Sequence, residues 1–113
     1  MDSATIQTRL EKLIEEYNAQ IVEWAKAKSE HDRASDLKKT RLAVFTGRSN
    51  AKSFNERERE ALASKDYHTF LNDVFAKDCL YWSLQARKDG IMAEIDVLRS
   101  LLSHEKAMIG LTQ

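Results

Sequence analysis

The side chains of this sequence that are able to do chemistry are few and scattered. His31, His68 and His104 are its only imidazoles, the usual choice for general acid–base work or metal binding at neutral pH. None sits in a His-Glu-x-x-His pattern, and no Glu-x-x-His pair of the kind that builds a di-metal bundle occurs. The histidines read as surface or boundary residues. Cys79 is the single cysteine. It cannot close an intramolecular disulfide, and alone it cannot hold zinc. No histidine lies three or four residues from it to activate the thiol, so it is expected as a small core residue. Carboxylates are plentiful, notably Glu11, Glu15, Glu16 and Glu23. Asp78 lies within an apolar stretch and is expected to pair with a nearby Lys or Arg. There is no glycine-rich phosphate loop, no Cys-x-x-Cys and no serine with a recognisable base. The expectation is a protein that is not an enzyme and that carries no metal or cofactor.

The one positive signal is a basic segment. Lysine plus arginine and aspartate plus glutamate each number 18, for a formal net charge of zero. Between Arg33 and Arg59, however, eight basic residues face three acidic ones, and Lys38 to Lys52 contains no acid at all. Lys38, Lys39, Arg41, Arg48, Lys52, Arg57 and Arg59 are therefore the candidate contacts for a nucleic acid or a protein partner. Clustered cations attract phosphates, Ser49 and Asn50 add hydrogen-bonding capacity, and Phe45 or Phe54 offers a ring for an unpaired base. The competing reading is an ordinary charged helix end. Basic residues favour helix C-termini, and Arg57 and Arg59 alternate with Glu56, Glu58 and Glu60 as on a solvated face.

These residues are positioned by helices. The chain has no proline and three glycines, too few turn formers for a sheet protein of 113 residues. From a Ser3 N-cap, Ile6, Leu10, Leu13, Tyr17, Ile21, Trp24 and Ala27 recur at spacings that keep one stripe on one face. The first helix is expected over about 4–46, with Gly47 as a left-handed C-cap. Residues 47–52 read as a loop. Ser53 and Glu56 suit a capping box and start a short helix over 53–63. Ser64 or Asp66 then caps a second long helix over about 66–109, whose stripe is Tyr67, Phe70, Leu71, Val74, Tyr81, Leu84, Ile91, Ile95, Leu98 and Leu102. Gly90 within it marks a close helix approach or a soft point, since glycine costs about 1 kcal/mol against alanine there.

Two helices of this length joined by a short connection must fold back on each other. The fold class is all-α: a long antiparallel, coiled-coil-like hairpin in a single domain, with a short helix near the tip. A break at Ser64 sets Phe45 opposite Tyr67, His31 opposite Tyr81 and Ile6 near Lys106. Starting the return helix at Phe54 instead brings His31 close to His68. One stripe per helix gives a small core, and Phe75, Leu80, Tyr81 and Trp82 remain as candidate self-association residues. A second copy completing a four-helix bundle is the expected way to cover them.

Several positions carry a resemblance. Glu58-Arg59-Glu60, Ser64, Tyr67, Leu84-Gln85-Ala86-Arg87, Glu94-Ile95 and Leu98-Arg99-Ser100 together resemble a set of small helical phage and prophage proteins found among early or recombination genes. The likeness covers about residues 56–107 and implies a phage-encoded accessory factor, with no residue role attached. The chain is also similar to the small secreted WXG-type hairpins, with Phe45-Thr46-Gly47 at the turn. It departs from them in having Phe for Trp, and no tyrosine follows Tyr81 to complete their export signal.

The functional expectation is an interaction protein, homodimeric, that binds a host or phage protein. The roles in view are recombination accessory factor or inhibitor of a host enzyme or defence protein. Direct binding of DNA or RNA through the basic tip is the alternative. No apolar run approaches the roughly 20 residues needed to span a bilayer. One cysteine and no signal-peptide layout point to a reducing, cytoplasmic location, the bacterial host's if the chain is phage-encoded, with no membrane partner.

Overall fold

The computed structural model describes residues 1–112. They form three helices: α1 (Ser3–Gly47), α2 (Phe54–Ala63) and α3 (Lys65–Thr112). There is no strand among the described residues. The fold is the expected all-α antiparallel hairpin, with α2 as a separate short helix between its arms. Packing divides the chain into two compact units. One joins Met1–Ala25 to the chain from Ser83 onward, and the other is Lys26–Trp82.

The first unit holds the main apolar cluster. Ile6, Leu10 and Leu13 of α1 meet Ile91, Ile95 and Leu98 of α3, with Tyr17 and Leu102 packed at the margin. On both helices the spacings are four and three, the a/d alternation that lets side chains interdigitate along a seam. Ile6, Leu13 and Ile95 are 1%, 1% and 2% exposed, and burying a side chain of this size is worth about 1.5–3 kcal/mol. Ile6 shares this cluster with Leu98 and Leu102, while Lys106, its expected neighbour, is exposed. At the rim of the seam Arg9 Nη2 donates to Glu94 Oε1 at 2.8 Å. Trp24 Nε1 donates to Gln85 Oε1 at 2.6 Å, and Lys88 Nζ lies 4.7 Å from the Trp24 ring centre.

In the second unit the seam is thinner. Its buried residues are Ala27, Ala34, Thr46, Ala61, Tyr67 and Val74. Phe45 meets Tyr67 edge-on with centroids 5.8 Å apart, and His31 stacks on Tyr81 at 4.5 Å. This is the register that follows from a break at Ser64, and the break is there. Ser64 has extended backbone (φ −68°, ψ 143°). Its hydroxyl donates to Ala61 O at 2.9 Å, closing α2, and accepts from Tyr67 N at 3.1 Å, opening α3. Ser53 caps α2 as expected, accepting from Glu56 N.

Two expected helix features differ, and one of two alternatives for a third falls away. Asp2, not Ser3, caps α1: Asp2 Oδ1 accepts from Thr5 N at 2.8 Å, and Ile6 N reaches Asp2 O. Ser3 is already helical, and its buried hydroxyl has no hydrogen-bond partner. Gly47 does not take the left-handed conformation, for no glycine among the described residues has positive φ. Instead α1 tightens at its end: Arg48 N donates to Val44 O and Phe45 O, and Ser49 N donates to Thr46 O. Those shorter bonds satisfy the last carbonyls without a reversal of the chain. Gly90 marks no close approach, because a Cβ built there meets nothing within 4 Å.

Candidate interaction surfaces

The basic residues all lie in the second unit and all are exposed: Lys38, Lys39, Arg41, Arg48, Lys52, Arg57 and Arg59. Four of them line three separate hollows. Lys39 and Arg57 line a cleft between α1 and α2. Arg48 lies over the Phe45 ring, 5.1 Å from its centre, beside a hollow that also contains Glu60 and Asp66. Arg41 lies 5.8 Å from the Phe70 centre, beside a third hollow that contains Glu30 and Asp73. A cation held over a ring keeps its charge but loses freedom to reach outward. The loop polar groups are also engaged. Ser49 Oγ donates to Glu60 Oε2, Ala51 N donates to Ser49 Oγ at 3.1 Å, and Arg57 Nε donates to Ala51 O at 2.6 Å.

The cleft between α1 and α2 is a feature that the sequence did not reveal. Its volume is about 400 Å³, and its floor is apolar: Leu42, Ala43 and Gly47 from α1 and Phe54 from α2. The buried Thr46 hydroxyl donates to Leu42 O at 2.8 Å, so α1 itself absorbs that polar group. The available signal was the positions 39, 42, 43, 46 and 47, which fall on one helical face. Their apolar content is too modest to stand out.

The four candidate self-association residues are separated. Phe75 and Trp82 are 67% and 60% exposed, and with Cys79 they recur at i, i+4 and i+7 on one face of α3. Cys79 is exposed on this face and is not a core residue. The seam in this unit is occupied by Val74 and Tyr81 instead. Leu80 is 51% exposed but lies roughly 140° around the helix from Phe75. Tyr81 is half-buried against His31.

His31 is the polar centre of this unit. Its Nδ1 lies 3.2 Å from Asp32 Oδ1, and its Nε2 lies 3.2 Å from Asp78 Oδ1. Asp78 is therefore paired with a histidine across the seam, not with the expected Lys or Arg. A neutral imidazole has one N–H and donates to one carboxylate, whereas the cation donates to both. Lys28 Nζ adds a 2.8 Å bond to Asp32 Oδ2. That bond, with the one from His31, holds the Asp32 carboxyl below its ordinary range. His68 and His104 lie on exposed positions. No group of three or more His, Cys, Asp or Glu residues able to hold a metal occurs among the described residues. None of the described helices is long and apolar enough to cross a membrane. No family model matches the chain, and neither a curated protein nor a solved structure gives a significant match to it.

Proposed function

We propose that this chain is a non-enzymatic interaction protein of the phage type, working in the cytoplasm as a homodimer that binds another macromolecule. Its role would be to assist recombination or to obstruct a host enzyme or defence protein. The observation that carries the reading is the pair Phe75 and Trp82, exposed at 67% and 60% on the face of α3 turned away from Tyr81 and Val74. Two large rings one heptad apart on a water-facing helix are costly unless something covers them, and a second copy meets its own stripe by symmetry. The phage element rests on the residues between 56 and 107 described above.

A second reading, direct binding of DNA or RNA, is favoured by the exposure of all seven basic residues. The acids set among them, Glu58, Glu60 and Asp66, weigh against it by lowering the local potential a phosphate backbone would meet.

Light scattering on the purified protein, with and without short single- and double-stranded DNA at low and moderate salt, separates these readings. The expected result is a dimer indifferent to DNA, converted to monomer by Phe75→Ala with Trp82→Ala. Uptake of DNA that is released steeply as salt rises, and lost in Lys38→Glu/Lys39→Glu/Arg41→Glu, would replace it with the nucleic-acid reading. A monomer unaffected by the α3 substitutions would remove the dimer.

A further inference from the structure

We infer that the cleft between α1 and α2 is a docking groove for an acidic amphipathic helix of a partner protein. The inference rests on the reading of the chain as an interaction protein and gives that reading a place and a chemistry. The groove is made of two helix faces. Leu42, Ala43 and Gly47 of α1 face Phe54 of α2 across about 400 Å³. Phe54 is 68% exposed, the most exposed aromatic ring of the second unit, although it stands at the start of a helix that buries only Ala61. A Cβ built on Gly47 meets nothing within 4 Å, so the floor is open at that point and admits an incoming side chain. Such a volume lies at the small end of ligand pockets, and it suits side chains projected from a helix better than a whole enclosed ligand.

Charge selects the occupant. Lys39 stands on the α1 rim and Arg57 on the α2 rim, and Glu58 is the one carboxylate of the lining. The Arg57 guanidinium is anchored through its Nε bond to Ala51 O, so its position does not have to be bought from a flexible side chain on binding. An apolar floor between two cations matches a helix with apolar residues at i, i+3, i+4 and i+7 and carboxylates on both flanks. A nucleic acid fits less well. It has no aliphatic group for the floor, and Arg41 and Arg48, which would have to join Lys39 and Arg57, lie over Phe70 and Phe45 beside other hollows.

The test is selection of a display library of random 16-residue peptides on the full-length protein. Fluorescence anisotropy of the selected peptides then follows against wild type, Ala43→Trp and Lys39→Glu/Arg57→Glu. Ala43 is exposed, so a tryptophan there fills the groove without entering the seam, and circular dichroism checks that helix content is kept. The expected peptides are rich in Asp and Glu with helically spaced apolar residues. Their affinity should fall tenfold or more in both variants and when their acids are changed to Lys. Peptides without acidic excess, or peptides that bind Ala43→Trp as they bind wild type, would overturn the groove. So would an empty selection accompanied by binding of sodium oleate, which would make the cleft a site for small amphiphilic anions. Binding that survives Ala43→Trp but is lost in Phe75→Ala/Trp82→Ala would move docking to α3, and the interaction reading would stand. An empty selection from a protein that is also monomeric would remove both.

Discussion

His31 lies nearly flat on Tyr81, with ring centroids 4.5 Å apart and planes inclined by 25°. Trp82, the next residue, meets the same imidazole only edge-on at 6.3 Å and is 60% exposed. Adjacent aromatic residues on α3 thus have different surroundings. Tyr81→Ala is expected to lower the stability of the monomer by about 1.5–3 kcal/mol, through lost burial and lost ring contact. Trp82→Ala should change it by less than about 1 kcal/mol while weakening self-association. Urea unfolding of both variants at low protein concentration, beside light scattering at high concentration, tests the division. Equal loss of stability would refute it.

Ser64 closes one helix and opens the next with a single hydroxyl. Ser64→Ala should cost about 0.5–2 kcal/mol. Ser64→Asp should recover part of this, because a carboxylate accepts from Tyr67 N but cannot donate to Ala61 O. Thermal unfolding by circular dichroism ranks the three proteins. Alanine equal to serine would mean that the junction is held by packing alone.

Gly90 is helical and exposed, and nothing lies near the position of a Cβ. Gly90→Ala should therefore stabilise the protein by about 0.5–1 kcal/mol, by reducing the freedom of the unfolded chain. A decrease in melting temperature would show that something packs on α3 at this point.

The Asp2 carboxyl is held below its ordinary range, chiefly by the Thr5 backbone N–H that it accepts. Asp89 is held below its range by Gln85 and then Lys88, and Asp32 by Lys28 and then His31. Carboxylates depressed in the folded state add stability above their unfolded pKa and lose it as pH falls through the folded one. Melting temperature should therefore hold from neutral pH down to the ordinary carboxylate range, then fall below it. Asp2→Asn keeps an accepting oxygen at the cap but does not titrate, so its acid limb should be shallower than that of wild type. Identical limbs would leave the Asp2 cap without a measurable share.

The two units differ in what holds them. One has six buried Ile and Leu side chains, the other three alanines, a threonine, Tyr67 and Val74, with a histidine–carboxylate contact. Amides around Ile91 to Leu98 should exchange more slowly than those around Tyr67 to Val74. Leu13→Ala should cost about 2–5 kcal/mol, against about 0.2–1 kcal/mol of coupling between the partly exposed His31 and Asp78 in a double-mutant cycle. Slower exchange in the second unit would reverse the assignment.

Much of the fold is legible in the residues. The four–three spacing of Ile6, Leu10 and Leu13 and of Ile91, Ile95 and Leu98 announces the seam, and Ser53 and Ser64 announce the caps. Features that depend on neighbours are not legible. Asp2 and Ser3 are both good caps, and only the first helical backbone bond decides between them. Asp78 finds His31 only once the register is known, since the two lie far apart in the chain. For Cys79 residue type suggests the core, while its place on the wheel beside Phe75 and Trp82 points outward, and the outward position is the one it takes. The groove needs the angle between α1 and α2, and no periodicity encodes the bonds of Arg57 to Ala51 O and Ser49 to Glu60 that tie the connecting loop to α2.

The best-packed cluster joins residues at opposite ends of the sequence, Ile6 with Leu98, while the Phe45–Tyr67 contact spans a far shorter loop. Closing the longer loop costs more chain entropy. Folding should start from the short loop, where the native contacts are weak, and gain most of its free energy only at the end. The transition state would then lie early for residues near Tyr67 and late for Leu13 and Ile95. Substitutions in the main cluster should accelerate unfolding and leave the folding rate almost unchanged.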